Sequence, residues 1–360
     1  MKVLVTGSNG FIGKHMCLSL KRNGYEVLPF DIDRTDDDLV KYIADCDFII
    51  HLAGVNRPLT KEEFYNGNTN FTKKIIDLVK ESKRDIPIIM SSSIQASLDN
   101  DYGKSKKMAE DYLFNSSLPV FIYRLANVFG KWCKPNYNSA LATFCYNIAH
   151  GLPIEIRDRD YVVHYNYVDD VASTFISCIK GEIKLSKDVL YVHPTYDCSL
   201  GKLADLLSYF KGEIESDRHL PIIHNEFELK LFKTFCDYLS EQDYGFNYSI
   251  DERGSFEELY KSKKWGQISE NIIYPGFIKG GHYHTYKKEI FYTVIGESLI
   301  KQQSLDSGDV VIDTVNGQEP NLINIKPNYK HEIKNIGQTD SHTLMWISEI
   351  YNPDTHDTYR

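Results

Sequence analysis

Two groups of side chains in this 360-residue chain are spaced for chemistry, and they stand far apart in sequence. In YGKSK, Tyr102 and Lys106 lie one helical turn apart, so on a helix they share a face. An ammonium beside a phenol favours the phenolate and lowers the tyrosine pKa toward the working range. Such a pair can pass a proton to or from a carbinol oxygen, and a serine of the SSS run at 91–93 can hold the same oxygen. The bland reading is a surface Tyr and Lys four apart, a common helix pairing. Downstream, KGGHYHTYKKE brings His282, His284 and Glu289 within eight residues. In strand geometry 282 and 284 project from one face, so two imidazoles can reach one cation. Glu289 can add an oxygen after the HTYKK connection, and His331 in KPNYKHEIKN can close the shell. Three nitrogens and one carboxylate suit Zn, Fe, Mn, Ni or Cu, whereas histidines on one strand face are otherwise hydrogen-bonded or exposed.

The elements that must position these groups follow from periodicity. In MKVLVTGSNGFIG an apolar strand runs into Gly7, Gly10 and Gly13 and then a helix-like stretch. Glycines there permit a tight turn and close backbone approach to a pyrophosphate seated on the helix N-terminus, a dinucleotide-binding arrangement. At the end of the next strand, in YEVLPFDIDR, Asp31 or Asp33 can bind a ribose 2′-hydroxyl, as in NAD sites, whereas Arg34 accommodates a 2′-phosphate. Asp31 also reads as a turn residue or cap. Up to about residue 180, apolar runs alternate with amphipathic stretches, which predicts βαβ units and a parallel, doubly wound sheet. LGKLADLLSYFKG and NEFELKLFKTFCDYL read as helices. From about residue 248, short alternating strands separated by Gly, Asn and Asp turns predict an all-β barrel or sandwich. The expected division is 1–245 and 246–360.

A formal charge of -9 and a pI near 5.8 argue against a nucleic-acid partner or an anionic membrane surface. Seven cysteines, odd in number and without a CxxC pair, fit a reduced compartment. No long apolar segment is present, and a cytoplasmic location is expected.

The GxxGxxG turn, HLAG at 51–54, SSS at 91–93, YGKSK at 102–106, YRLANVFG at 123–130 and NYVDDVA at 166–172 together resemble the extended, sugar-nucleotide branch of the short-chain dehydrogenase/reductase family. That resemblance implies a Rossmann-like α/β domain, catalysis by Tyr102 and Lys106, and a serine that the family pattern places at Ser93, with Ser92 as the fallback. It also implies coenzyme contacts from Gly7, Gly10, Gly13, Asp31, Arg34, Tyr102 and Lys106. The pattern H-x-H-x4-E-x6-G, ending at Gly296 and followed by His331 and Asn335, resembles the cupins. It implies a C-terminal cupin barrel with His282, His284, Glu289 and His331 as metal ligands. Pro327 stands four residues before His331 rather than the usual five, and Tyr329 occupies the neighbourhood of the customary glycine.

DERGSFEE, QISEN and KGGHYH also look like elements of the cupin-fold 4-keto-sugar 3,5-epimerases, which implies Arg253 on the sugar-nucleotide phosphates and His282 as general base. A metal-bound imidazole is a poor base, so either His282 is a ligand and another group removes the proton, or the metal is structural or weak. Tyr283, Tyr286, Tyr292 or a lysine are the other groups. As a whole the chain resembles the bifunctional capsular polysaccharide enzymes of the UDP-N-acetyl-L-fucosamine route. That implies a UDP-activated 4-keto deoxy amino sugar as substrate, NADPH with NADH as alternative, a divalent metal with zinc foremost, and a homodimer. Two rivals stand beside it. One is a sugar-nucleotide 4-epimerase or dehydratase that retains its coenzyme; the other is a simple reductase whose cupin is a non-catalytic, metal-stapled binding or dimerisation module.

Overall fold

Val3, Leu4 and Val5 have no exposed surface, as a strand must when helices cover both faces of its sheet. The computed structural model describes residues 1–217, 219–240, 247–352 and 357–360. Strands β1 (Lys2–Thr6), β2 (Glu26–Phe30), β3 (Phe48–His51), β4 (Ile88–Ser93) and β5 (Val120–Leu125) form a parallel sheet of order β2-β1-β3-β4-β5. Alternate residues of each strand feed opposite layers. Val3, Val5, Ile50 and Ile89 pack on α1 (Phe11–Arg22) and α7 (Val168–Ile179) through Met16, Leu20, Val171 and Phe175. Leu4, Ile49, Ile88 and Ile122 pack on α2 (Asp36–Asp45), α4 (Phe71–Glu81) and α5 (Asp101–Phe114) through Leu39, Ile75, Val79 and Leu113. A short helix, α3 (Lys61–Phe64), leads through a π-helical turn into α4, and α6 (Ala140–Ala149), α8 (Leu200–Asp217) and α9 (Glu226–Cys236) follow. A small sheet of β6 (Asn127–Phe129), β7 (Val162–Tyr167) and β8 (Tyr196–Ser199) completes the set.

The remaining strands pair antiparallel. A six-stranded sheet runs β16 (Leu322–Ile325), β13 (Glu289–Ile295), β18 (Ser341–Ile347), β11 (Gly266–Ile273), β10 (Gly254–Ser262) and β9 (Asn247–Asp251). A four-stranded sheet runs β12 (Ile278–His282), β17 (Tyr329–Asn335), β14 (Glu297–Ser304) and β15 (Val310–Asn316). Phe291, Met345 and Ile273 from the first sheet meet Ile300, Val315 and Ile333 from the second in one core. The chain divides into two units, one of Met1–Leu207 with Asn225–Tyr238 and one of Ser208–His224 with Leu239–Arg360. The fold class expected from the sequence is the one observed: a Rossmann-like parallel sheet wound on both faces, then an all-antiparallel cupin-like unit. Among the described residues no disulfide joins any of the seven cysteines, and no helix is long and apolar enough to cross a membrane.

Candidate active sites

In the first unit, β1 delivers the chain into the glycine turn, where Gly7 has φ +71°. A Cβ on Gly13 would sit 2.0 Å from the Gly7 carbonyl oxygen, so helix and turn touch only because this residue lacks one. Helix α1 starts at Gly10 with no side-chain cap and no acidic residue in its first turn, leaving its N–H groups for an anion. This cradle fits a dinucleotide pyrophosphate. Asp31 sits beside it, its carboxylate accepting from the Asn9 and Ile32 backbone N–H groups at 2.7 and 2.8 Å. Asp33 takes the Asn9 side-chain amide at 3.4 Å, and Arg34 is exposed, its backbone N–H closing the turn onto the Asp31 carbonyl. Asp31 is therefore both a turn residue and a neighbour of the glycine loop.

Asn100 caps α5 by accepting from the Gly103 N–H at 2.7 Å, and this places Tyr102 and Lys106 on the helix face toward the end of β4. Lys106 is buried, with Nζ donating to the Ser91 carbonyl at 3.2 Å and lying where a Cβ on Gly54 would come within 2.9 Å. Burial lowers this ammonium to about 8, against an upward pull from Glu110. The expectation that Lys106 would lower the Tyr102 pKa is corrected. Burial raises the phenol above its ordinary value, and the group that pulls it back is Ser93, through a hydrogen bond. Ser92 is committed elsewhere, donating to Glu110 at 2.6 Å in a buried network that Arg124 completes with two hydrogen bonds to the same carboxylate. Ser93, and not Ser92, shares the phenol's side of the strand end.

In the second unit the four predicted ligands come together, their ligand atoms all within 4.8 Å of one another. Glu289 opens β13, flanked by His284 Nε2 at 3.2 Å and His331 Nε2 at 3.1 Å. The rings of His282 and His331 lie 4.6 Å apart, on residues paired across β12 and β17. A bulge between Gly280 and His282 makes this pairing, and Gly280 has φ +100° with no room for a Cβ, which would sit 2.8 Å from the His331 carbonyl oxygen. Strand β12 stops at His282, so His284 is not placed by β12 itself. The extended direction continues through a bridge between Tyr283 and Tyr359, which preserves the alternation.

His284 Nδ1 donates to the Asp357 carbonyl and His331 Nδ1 to the Tyr329 carbonyl at 3.2 Å, which turns both Nε2 lone pairs inward. Among the described residues, His284 Nε2, His331 Nε2 and Glu289 Oε2 are buried without a hydrogen-bond partner. Buried polar atoms are normally paired, and a cation among these three satisfies them together, so the donor set fits a divalent metal. Burial opposes ionisation of Glu289, but with no metal bound the two imidazoles, in their protonated form, outweigh it and hold the carboxyl well below its ordinary value. His282 is brought down to about 4 by burial and then by His331, so its ring is neutral near pH 7.

His282 and His331 also line a cavity of about 320 Å³ between the two sheets of this unit. Arg253 lines it too, half-exposed and paired with Asp251 at 2.6 Å. Tyr283, Tyr286 and Tyr292, the alternative proton-transfer groups, do not line it. Tyr283 stacks on Tyr359, Tyr286 is exposed, and Tyr292 alternates with the cavity-lining Phe291. Among the cavity residues that had not been singled out from sequence are Lys279, Asn271 and Arg360. The first two stand inside KGGHYH and QISEN, where their motifs were the available signal. Arg360 carried none. Lys279 Nζ donates to the Ser255 and Ile272 carbonyls at 2.9 and 3.1 Å, and burial lowers its pKa.

Comparison with known proteins agrees with this layout. Residues 3–183 match the NAD dependent epimerase/dehydratase family, and residues 249–359 match the polysaccharide biosynthesis C-terminal domain. A UDP-2-acetamido-2,6-beta-L-arabino-hexul-4-ose reductase from Pseudomonas aeruginosa is 39% identical over 100% of this chain and 98% of its own length. The crystal structure of the capsular polysaccharide assembling protein CapF from Staphylococcus aureus superposes with a TM-score of 0.85 at 36% identity, covering 100% of this chain and 99% of that one. The spore coat polysaccharide biosynthesis protein SpsL of Bacillus subtilis is 27% identical over 31% of this chain and 80% of that protein. Matched by family models in both halves and by relatives along its full length, the chain belongs to the NAD dependent epimerase/dehydratase family and continues into a polysaccharide biosynthesis C-terminal domain.

Proposed function

We propose that the chain is a bifunctional nucleotide-sugar enzyme for capsular polysaccharide or O-antigen synthesis. Its substrate is a UDP-2-acetamido-2,6-dideoxy-4-keto-hexose, its cupin region, 246–360, inverts C3, and its first region, 1–245, reduces the C4 ketone to give UDP-2-acetamido-2,6-dideoxy-L-talose. The observation that carries this reading is the presence of two separate constellations able to move a proton. One is Ser93, Tyr102 and Lys106 at the end of β4; the other is His282 in a cavity with Arg253 and Lys279. The name of the Pseudomonas relative, a hexul-4-ose reductase, supports a 4-keto sugar as the compound reduced.

A C4 ketone acidifies the C3 hydrogen, so a base can form an enolate, and return of a proton on the opposite face inverts that carbon. Neutral His282 and the Lys279 amine are the two cavity groups suited to these transfers, and Arg253 is suited to the diphosphate. When bound, a divalent metal, zinc foremost, supplies a positive charge at His282, His284, Glu289 and His331; His282 then serves as a ligand, which leaves Lys279 as the proton-transfer group. In the first unit Ser93 holds the C4 oxygen and Tyr102 gives it a proton, while Lys106 steadies the ribose and the phenol. When bound, NADPH, with NADH as the alternative, supplies the hydride. The enzyme works in the cytoplasm as a homodimer.

The test is product formed in D2O by wild type and by Tyr102→Phe, analysed by mass spectrometry. Expected is deuterium at C3 in both proteins, with coenzyme consumed about 10²- to 10⁴-fold more slowly by Tyr102→Phe. Reduction by Tyr102→Phe at a rate near that of wild type overturns the first-unit assignment. The reductase-only name of the relative favours a second reading, in which the cupin is a metal-stapled binding module. Product without deuterium at C3 selects it.

A further inference from the structure

The geometry points to Asp357, from the C-terminal tail, as the residue that positions the metal ligand His284; this rests on the metal reading given above. Asp357 is 2% exposed, and nothing in its sequence context, DTHDTYR, marks it for chemistry. Its carboxylate is held by the loop between β12 and β13. Oδ1 accepts from the Thr285 N–H at 2.9 Å and the Thr285 hydroxyl at 2.6 Å, and Oδ2 accepts from the Tyr286 and Lys287 N–H groups at 2.9 and 2.8 Å. Three successive backbone N–H groups closed around one carboxylate make a nest, which fixes the path of the chain directly after His284.

Its backbone acts on the ligand itself. The Asp357 carbonyl accepts the His284 Nδ1–H, which sets the tautomer and aims Nε2 at Glu289, 3.2 Å away. On the other side of His284, Tyr283 and Tyr359 exchange backbone hydrogen bonds of 2.9 and 3.0 Å and stack their rings at 5.4 Å. His284 is thereby clamped before, after and at its own ring by residues of one short tail segment. Such outer partners of a ligating histidine orient the ring and raise its basicity, and their loss typically costs about 10- to 100-fold in metal affinity. Charge matters here as well as shape. An asparagine at 357 keeps one acceptor oxygen and turns an amide N–H toward a backbone N–H.

The test is zinc affinity of the full chain, measured by competition with a chromophoric chelator well below the unfolding temperature, for wild type, Asp357→Asn, Asp357→Ala and His284→Ala. Expected is a loss of about 10- to 100-fold for Asp357→Ala, a smaller loss for Asp357→Asn and the largest for His284→Ala. Saturating Co2+ reads the ligand count: Asp357→Ala keeps the four-ligand visible absorption, whereas His284→Ala loses it. A tail with a purely structural role lowers the unfolding temperature and leaves the affinity of the folded protein alone. Affinities within threefold of wild type for both Asp357 variants overturn the positioning role, and if Asp357→Ala does not fold, Asp357→Asn decides. No metal uptake by wild type overturns the metal reading itself, and the positioning role with it.

Discussion

Three serines stand in a row at the end of β4, and the strand's alternation gives them different tasks. Ser92 points to the Glu110–Arg124 pair, while Ser93 meets Tyr102. Ser93→Ala is expected to lower reduction, with a cost in stability of about 1 kcal/mol because its hydroxyl also accepts from the Gln95 N–H at 3.2 Å. Ser92→Ala is expected to cost about 1 kcal/mol of stability while proton transfer survives. Coenzyme oxidation and denaturant unfolding of the two variants check this. Tyr102→Phe is expected to slow reduction by about 10²- to 10⁴-fold with coenzyme binding retained. Lys106 has a pH signature. Its folded value of about 8 lies below its ordinary 10.5, so between those values the unfolded chain holds the extra proton. Stability from this group is therefore least below pH 8 and rises toward 10.5, by ~3 kcal/mol over the window. Unfolding of wild type and Lys106→Met at about pH 7 and about pH 10 checks it, the rise being lost in the variant. Tyr102 and Lys106 were legible because a helix turns i and i+4 onto one face. The phenol's raised pKa was not, because burial is a property of the packed site.

At the scale of elements, the β12 bulge decides whether the histidines of β12 and β17 face each other. Gly280→Ala places a Cβ 2.8 Å from the His331 carbonyl oxygen at φ +100°. The expected result is a loss of metal affinity and of stability in the second unit, read by zinc competition and thermal unfolding. Gly212, exposed in α8, has ordinary φ and open space around its Cβ position, so Gly212→Ala is expected to stabilise by about 0.5–1 kcal/mol. The two KGG glycines were visible in sequence directly before the histidines. That they form a bulge, and that β12 ends at His282 with His284 carried onward by a bridge to Tyr359, depends on partners across the sheet and in the tail.

For the whole molecule, two units with separate cores need not unfold together. A bound ion stabilises only the unit that holds it, by about 2.7 kcal/mol at a concentration a hundred times its Kd. Chelation is therefore expected to lower a calorimetric transition of the second unit and leave that of the first in place; one transition shifting as a block counts against it. Strand and helix periodicity, the glycine turn, the YGKSK spacing and the four ligand types were determined by sequence alone, since each rests on neighbours within a few residues or on a side chain's own chemistry. Tertiary structure decided the rest. It turned Ser92 inward and Ser93 toward Tyr102, and it removed three tyrosines from the cavity in favour of Lys279. It brought Asp357 back across 72 residues to hold the loop after His284. Those choices depend on burial and on contacts between segments remote in the chain, and no local spacing encodes them.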